Sequence, residues 1–248
     1  MNTSPDSGPD LSPVLGRRAF IQRAAGAAAL ICLPGQSPAA PALTSPPVES
    51  PAADGVYLFF SPDEAGLVES LVEHMCPRDE LTPGGVDCGL AVFIDRQLAG
   101  AFGQGNRLYL RGPFRTALPE DGYQKPLTPA QYFKAGVRAF DGHCLRQQGA
   151  SFARLDASTK ESSLAAVAAG RWDEAAGFPL GPWFNDLIYP LFEQACFADP
   201  AYGGNRDKVF WKMIGYPGLP AVNGLNMVRY RGKPFPGATS PQSMEDFA

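Results

Sequence analysis

The sequence predicts an all-α fold, a single helical domain threaded with long Pro- and Gly-rich irregular segments. Two observations carry that reading. Apolar residues recur at helical spacing in several separate stretches, most of them opened by a capping signal. Pro and Gly number 25 and 27 among 248 residues, so much of the chain between those stretches must be irregular.

Each element can be justified in order. Ser61-Pro62-Asp63-Glu64 is a helix start: Ser61 caps, Pro62 fits the first turn and Glu64 completes a capping box. Leu67, Val68, Leu71, Val72 and Met75 then give one buried face, and Pro77 stops the helix. After the turn Thr82-Pro83-Gly84-Gly85, Asp87 is expected to open a second helix carrying Leu90, Ile94 and Leu98, ended by Gly100, Gly103 and Gly105. An irregular stretch runs to Leu127. Thr128-Pro129 restarts the pattern with the stripe Tyr132, Phe133, Val137, Phe140 and Cys144. Ser158 and Glu161 frame a further capping box before Leu164–Val167. An aromatic-rich helix is expected from about Pro182 to Phe197, kinked at Pro190. Beyond Tyr202 the sequence reads mainly as turns.

Ahead of this body lies Gly16-Arg17-Arg18-Ala19-Phe20-Ile21-Gln22, followed by a small-residue apolar run from Ala24 to Leu33. Arg17, Arg18 and Phe20 in that order are the marks of a twin-arginine export signal. The run is too short to span a bilayer, which needs about 20 apolar residues. Cleavage after Ala42, with Ala40 in the small-residue position upstream, would remove this stretch. The expected organisation is therefore a signal over 1–42, a Pro/Ala-rich tether over 43–56 and a helical domain over 57–248. That domain, roughly 190 residues, is long enough for one well-buried core.

Composition narrows the function. The net charge is −4 and no basic block lies outside the signal, which argues against nucleic-acid binding. No mature segment is long and apolar enough to cross a membrane, so membrane association is expected only through partners. Cys32 falls in the signal, and Cys76, Cys88, Cys144 and Cys196 remain for an oxidising compartment. Four cysteines allow three connectivities; Cys76 and Cys88 flank a short turn-rich loop and form the favoured disulfide.

Catalytic constellations are scarce. His74, Cys76, His143 and Cys144 offer a metal reading, but their spacing matches no zinc pattern. His143 and Cys144 also offer a thiol–imidazole pair, as in a stand-alone exported enzyme. Disulfides with histidines near helix ends are the plainer account. Gly103-Gln104-Gly105 lacks the third glycine and the preceding strand of a dinucleotide loop. Cys-x-x-Cys-His is absent, so no covalent haem is carried here. No catalytic, cofactor-binding or metal residue is assigned. The aromatics Trp183, Phe184, Tyr189, Phe192 and Phe197, with Tyr202, Phe210, Trp211 and Tyr216, fit a protein–protein interface or a core equally well. An exported binding protein with an aromatic pocket is a further alternative.

Several segments together resemble one family, the small third subunit of membrane-bound gluconate 2-dehydrogenase. They are Asp79-Glu80-Leu81-Thr82-Pro83-Gly84-Gly85, Gly89-Leu90-Ala91-Val92-Phe93-Ile94-Asp95, Gly112-Pro113-Phe114 and Gly122-Tyr123-Gln124-Lys125-Pro126-Leu127-Thr128-Pro129. Most specific is Phe197-Ala198-Asp199-Pro200-Ala201-Tyr202-Gly203-Gly204-Asn205-Arg206-Asp207, running on to Trp211-Lys212-Met213-Ile214-Gly215-Tyr216-Pro217-Gly218. The resemblance implies a non-catalytic subunit that supports assembly and twin-arginine export. Its implied partners are a large FAD-containing dehydrogenase subunit, a multihaem cytochrome c carrying haem c, and the twin-arginine translocase. The implied location is periplasmic, against the outer face of the cytoplasmic membrane. Related complexes oxidise other sugars, polyols or keto acids, so the substrate follows from the partner. Tyr202, Gly203, Gly204, Asn205, Arg206 and Trp211 are the candidate partner interface; the alternative for this loop is an internal turn holding the last helix on the core.

Overall fold

A computed structural model describes residues 57–114, 122–219 and 223–247. The expected export signal (Arg17, Arg18, Phe20) and the expected tether lie outside the described residues. Among the described residues the secondary structure is helical, with one isolated bridge between Gly218 and Gln242.

The expected starts hold where a local cap specifies them. Helix α1 (Pro62–Met75) carries the full Ser61–Glu64 capping box and buries Ala65, Leu67, Val68, Leu71 and Val72. Helix α2 (Leu90–Ala99) begins later than Asp87 suggested: Gly89 caps it in the left-handed region, and the Asp87 carboxylate pairs with Arg78 instead. Helix α3 (Pro129–Gln148) opens on Thr128, with Gln131 completing a box, and ends on left-handed Gly149. Its apolar stripe is buried as expected. Helix α4 (Ala157–Ala168) is capped not by Ser158 but by Asp156, whose carboxylate accepts from the Ser158 and Thr159 N–H groups. Glu161 is thereby released to reach across to His74 on α1, 3.0 Å away.

After the short α5 (Asp173–Ala176) and α6 (Leu180–Trp183), the expected aromatic helix is interrupted. Residues Phe184–Ile188 form a π turn in which the Tyr189 N–H donates to the Phe184 carbonyl. Helix α7 (Tyr189–Phe197) follows, with Pro190 in its first turn. The wide turn places Pro190 where a missing N–H costs little, so the break precedes the proline rather than centring on it. Two further short helices, α8 (Val209–Ile214) and α9 (Gly224–Arg229), stand where turns were expected.

Packing joins these pieces around one core. Helix α2 lies against α7 and α1, and α3 lies against α6. Trp183, buried, packs over Gly136 of α3, where any Cβ would collide with the indole. The core's N-terminal corner is fixed by charge. The Asp95 carboxylate, only 1% exposed, accepts from the N–H groups of Leu58, Phe59 and Phe60 at 2.7–2.9 Å. Lys134 of α3 donates to the Glu64 carboxylate at 2.7 Å and to the Phe59 carbonyl at 3.4 Å. Burial alone would raise the Glu64 pKa, but Lys134 and the Ser61 N–H outweigh it and the net shift is downward.

Replacing Asp95 removes the acceptor of three backbone donors. Asp95→Ala is expected to lower stability by about 2–4 kcal/mol in urea unfolding, and Asp95→Asn by less because one acceptor oxygen survives. Wild-type stability in both variants would contradict the clamp.

Candidate functional site

The segment 199–208 is built from unusual backbone. Asp199 caps a 3-10 turn over Pro200–Tyr202, accepting from the Ala201 N–H at 3.1 Å. Gly203 follows at φ +99°, and then Asn205, Asp207 and Lys208 all adopt positive φ. These are the non-glycine residues of left-handed backbone among the described residues. Each such residue costs on the order of 1 kcal/mol, so surrounding contacts must hold them.

Those contacts come from three sides. Asn205 is fully buried: its amide donates to the Ala198 carbonyl and accepts from the Phe210 N–H, both at 3.0 Å. The Arg206 N–H donates to the Cys88 carbonyl at 3.0 Å, and its guanidinium to the Asp87 carbonyl at 3.2 Å. From the C-terminal tail, Asp246 accepts from the Lys208 ammonium, and Asp199 accepts from the Met244 N–H at 2.9 Å. The segment lies on the start of α2 with no room to spare. A Cβ at Gly89 would overlap the Gly203 carbonyl, and one at Gly204 the Ala195 carbonyl.

Two hollows flank this segment. On one side is a polar cleft of about 900 Å³, walled by α2, the segment and the tail and lined by charges of both signs, among them Arg96, Arg206 and Lys212 with Glu69, Asp207 and Glu245. Burial lowers the Arg96 pKa, partly offset by neighbouring Asp95. On the other is a groove of about 440 Å³ with Phe93, Gln97, Phe197 and Tyr202 on its walls. The cleft offers charged groups of both signs; the groove offers aromatic surface.

The structure divides the six candidate interface residues. Tyr202 is 48% exposed and Arg206 lines the cleft. Gly203 and Gly204 make their close approach to this chain's own helices, and Asn205 bonds within the chain rather than across it. Trp211 is buried, its indole N–H donating to the Phe197 carbonyl at 2.8 Å. All four thus make close contacts within this chain.

The expected Cys76–Cys88 disulfide is not formed: none of the four described cysteines is disulfide-bonded. The Cys88 thiol donates to the Pro83 carbonyl at 3.6 Å, while Cys76 Sγ lies 3.9 Å from the Thr82 hydroxyl. The two sulfurs therefore face different oxygens of the intervening loop. Burial, reinforced by Cys76, pushes the Cys88 thiol up to about 12. Burial also raises Cys196, again with Cys76 and Cys88 contributing.

His143 and Cys144 are both buried in α3. The imidazole lies 4.3 Å from the Trp172 ring, centroid to centroid, and burial pushes the Cys144 thiol up to about 12. A thiol so held is protonated at neutral pH and a poor nucleophile. No group of three or more His, Cys, Asp or Glu able to hold a metal occurs among the described residues. No helix among the described residues is long and apolar enough to cross a membrane.

Sequence reasoning missed Asp95, Asp199 and Asp246. Asp95 had a signal, a lone carboxylate inside the apolar run Leu90–Leu98. The other two depend on contacts between distant segments.

A family model described as gluconate 2-dehydrogenase subunit 3 covers residues 62–218. Comparisons with curated proteins and with solved structures returned no match.

Substitutions at Gly89, Gly66 and His143 test the local physics. Gly89→Ala should destabilise by at least about 2 kcal/mol, because a left-handed residue and a backbone clash combine. Gly66→Ala, whose Cβ would meet open space within α1, should stabilise by about 0.5–1 kcal/mol. Burial, with help from nearby Arg146, lowers the His143 pKa below its ordinary 6.5, despite an opposing bond to the Ala175 carbonyl. The unfolded chain then binds the proton more readily. The corresponding stability is fully present above pH 6.5 and is lost as pH falls through the lower folded value. His143→Phe should flatten that acid limb in denaturant titrations.

Proposed function

Because the chain belongs to the gluconate 2-dehydrogenase subunit 3 family, we propose that it is the non-catalytic small subunit of a membrane-bound, flavin-dependent complex of that type. In this reading it supports assembly of the flavoprotein subunit and escorts it through the twin-arginine route. The observation that carries the reading is the family match, which takes in the strained 199–208 segment and residues of both hollows beside it.

The mechanism is physical. A flavoprotein must fold around FAD in the cytoplasm, and a subunit without its own signal crosses only while bound to one that has it. Tyr202 and the apolar groove supply an anchor, and Arg206 and the polar cleft supply orientation. A rigid platform suits this task because little ordering entropy is lost on binding. Arg17, Arg18 and Phe20 supply the address on a Pro/Ala-rich tether. FAD and haem c belong to the partner subunits, the flavoprotein and a multihaem cytochrome c, and the assembly works on the periplasmic face, held to the membrane through those partners.

Changing Arg17 and Arg18 to Lys is expected to leave both this chain and the flavoprotein activity in the cytoplasm, measured by cell fractionation with a dye acceptor. Unchanged periplasmic activity in that variant would overturn the escort reading.

A further inference from the structure

Helix α9 (Gly224–Arg229) is inverted relative to a globular helix. Its apolar side chains Leu225, Met227 and Val228 are 82%, 76% and 79% exposed, and none of its residues is buried. A soluble surface seldom leaves three large apolar neighbours so bare without a use for them. Directly behind them come Arg229, Arg231 and Lys233, all exposed and in no ion pair among the described residues. Tyr230, half-buried against Phe235, sits between the cations.

Charge selects the occupant. From Lys208 to Met244 the sequence carries five cations and no Asp or Glu, in a chain whose net charge is −4. An apolar tip bordered by cations and a tyrosine is the composition that settles at a lipid–water boundary, apolar groups among acyl chains and cations at headgroups. We propose that residues 224–233 dock on an anionic phospholipid surface, giving this chain a peripheral membrane contact of its own. The contact is shallow: six residues of helix rise about 9 Å, far too short to span. This goes beyond the escort reading and does not require it, because the contact needs only this chain and lipid.

Hydrogen exchange read by mass spectrometry on the full chain tests it segment by segment, so lipid binding by the N-terminal apolar run cannot be mistaken for it. Vesicles of phosphatidylcholine with one-quarter phosphatidylglycerol should slow exchange across 224–233 at least tenfold, and phosphatidylcholine alone should not. Arg229→Gln, Arg231→Gln and Lys233→Gln together should raise the lipid needed for half-protection by about a hundredfold, at roughly fivefold per cation. Leu225→Ser, Met227→Ser and Val228→Ser together should abolish protection while exchange in α2 stays unchanged, which shows the fold intact. Unaltered exchange at 224–233 on anionic vesicles overturns the proposal, whether or not the chain sediments with them. Protection by the purified flavoprotein subunit but by no vesicle also overturns it, in favour of a protein contact.

Discussion

One buried carboxylate holding three backbone N–H groups sets the register of the N-terminal half. Asp95 belongs to α2, the donors to the segment entering α1, and the neighbouring Lys134–Glu64 pair links α1 to α3. Three helices are thus tied at one corner, and the rings of Phe59 and Phe60 are brought onto Phe133 at 5.8 and 5.3 Å. A buried charge without partners would be intolerable, so the clamp is formed completely or the corner opens. The same corner receives the chain arriving from the N-terminal region, so a pull on that end meets a charged anchor before it reaches the apolar core.

The device recurs. Asp141 accepts from the Phe152 N–H, Asp173 from Gly181, and Asp199 from both Ala201 and Met244. A domain rich in Pro and Gly leaves many backbone donors with no helical partner, and each needs an acceptor when it is packed away from water. Carboxylates do that work strongly because their bonds are charge-assisted. Several acids among the described residues are thus engaged by the backbone, one at a time.

What could be read from the sequence was what local chemistry determines. Ser61 with Glu64, and Thr128 with Pro129, started helices where caps and prolines said they would, and the stripe from Tyr132 to Cys144 went inward. Asp156 displaced Ser158 as a cap because a carboxylate accepts from two N–H groups at once. The π turn before Pro190 was invisible because it depends on the packing of Trp183 and Phe184. At the site, Tyr202 and Arg206 remained available at the surface, whereas Asn205 and Trp211 turned inward, since only the fold reveals that Ala198, Phe197 and Phe210 stand ready to satisfy them. Likewise the turn between Cys76 and Cys88 brought two cysteines near in sequence but aimed their sulfurs at different oxygens.

The tail continues past the family match, which ends at Gly218. It returns to the body at two places: Gly218 pairs with Gln242, the Leu219 N–H donating to the Gln242 carbonyl, and Asp246 and Met244 bond to Lys208 and Asp199. Residues 224–233 lie between these moorings, so the exposed helix belongs to a closed loop and is not a fraying end. Closing such a loop costs conformational entropy, and exposing Leu225, Met227 and Val228 returns none of the stabilisation their burial would give. The moorings also use Lys208 and Asp199, residues of the strained segment itself. Whatever occupies the loop therefore bears on the same backbone that walls the polar cleft, through two salt-bridged or hydrogen-bonded contacts rather than through a flexible link.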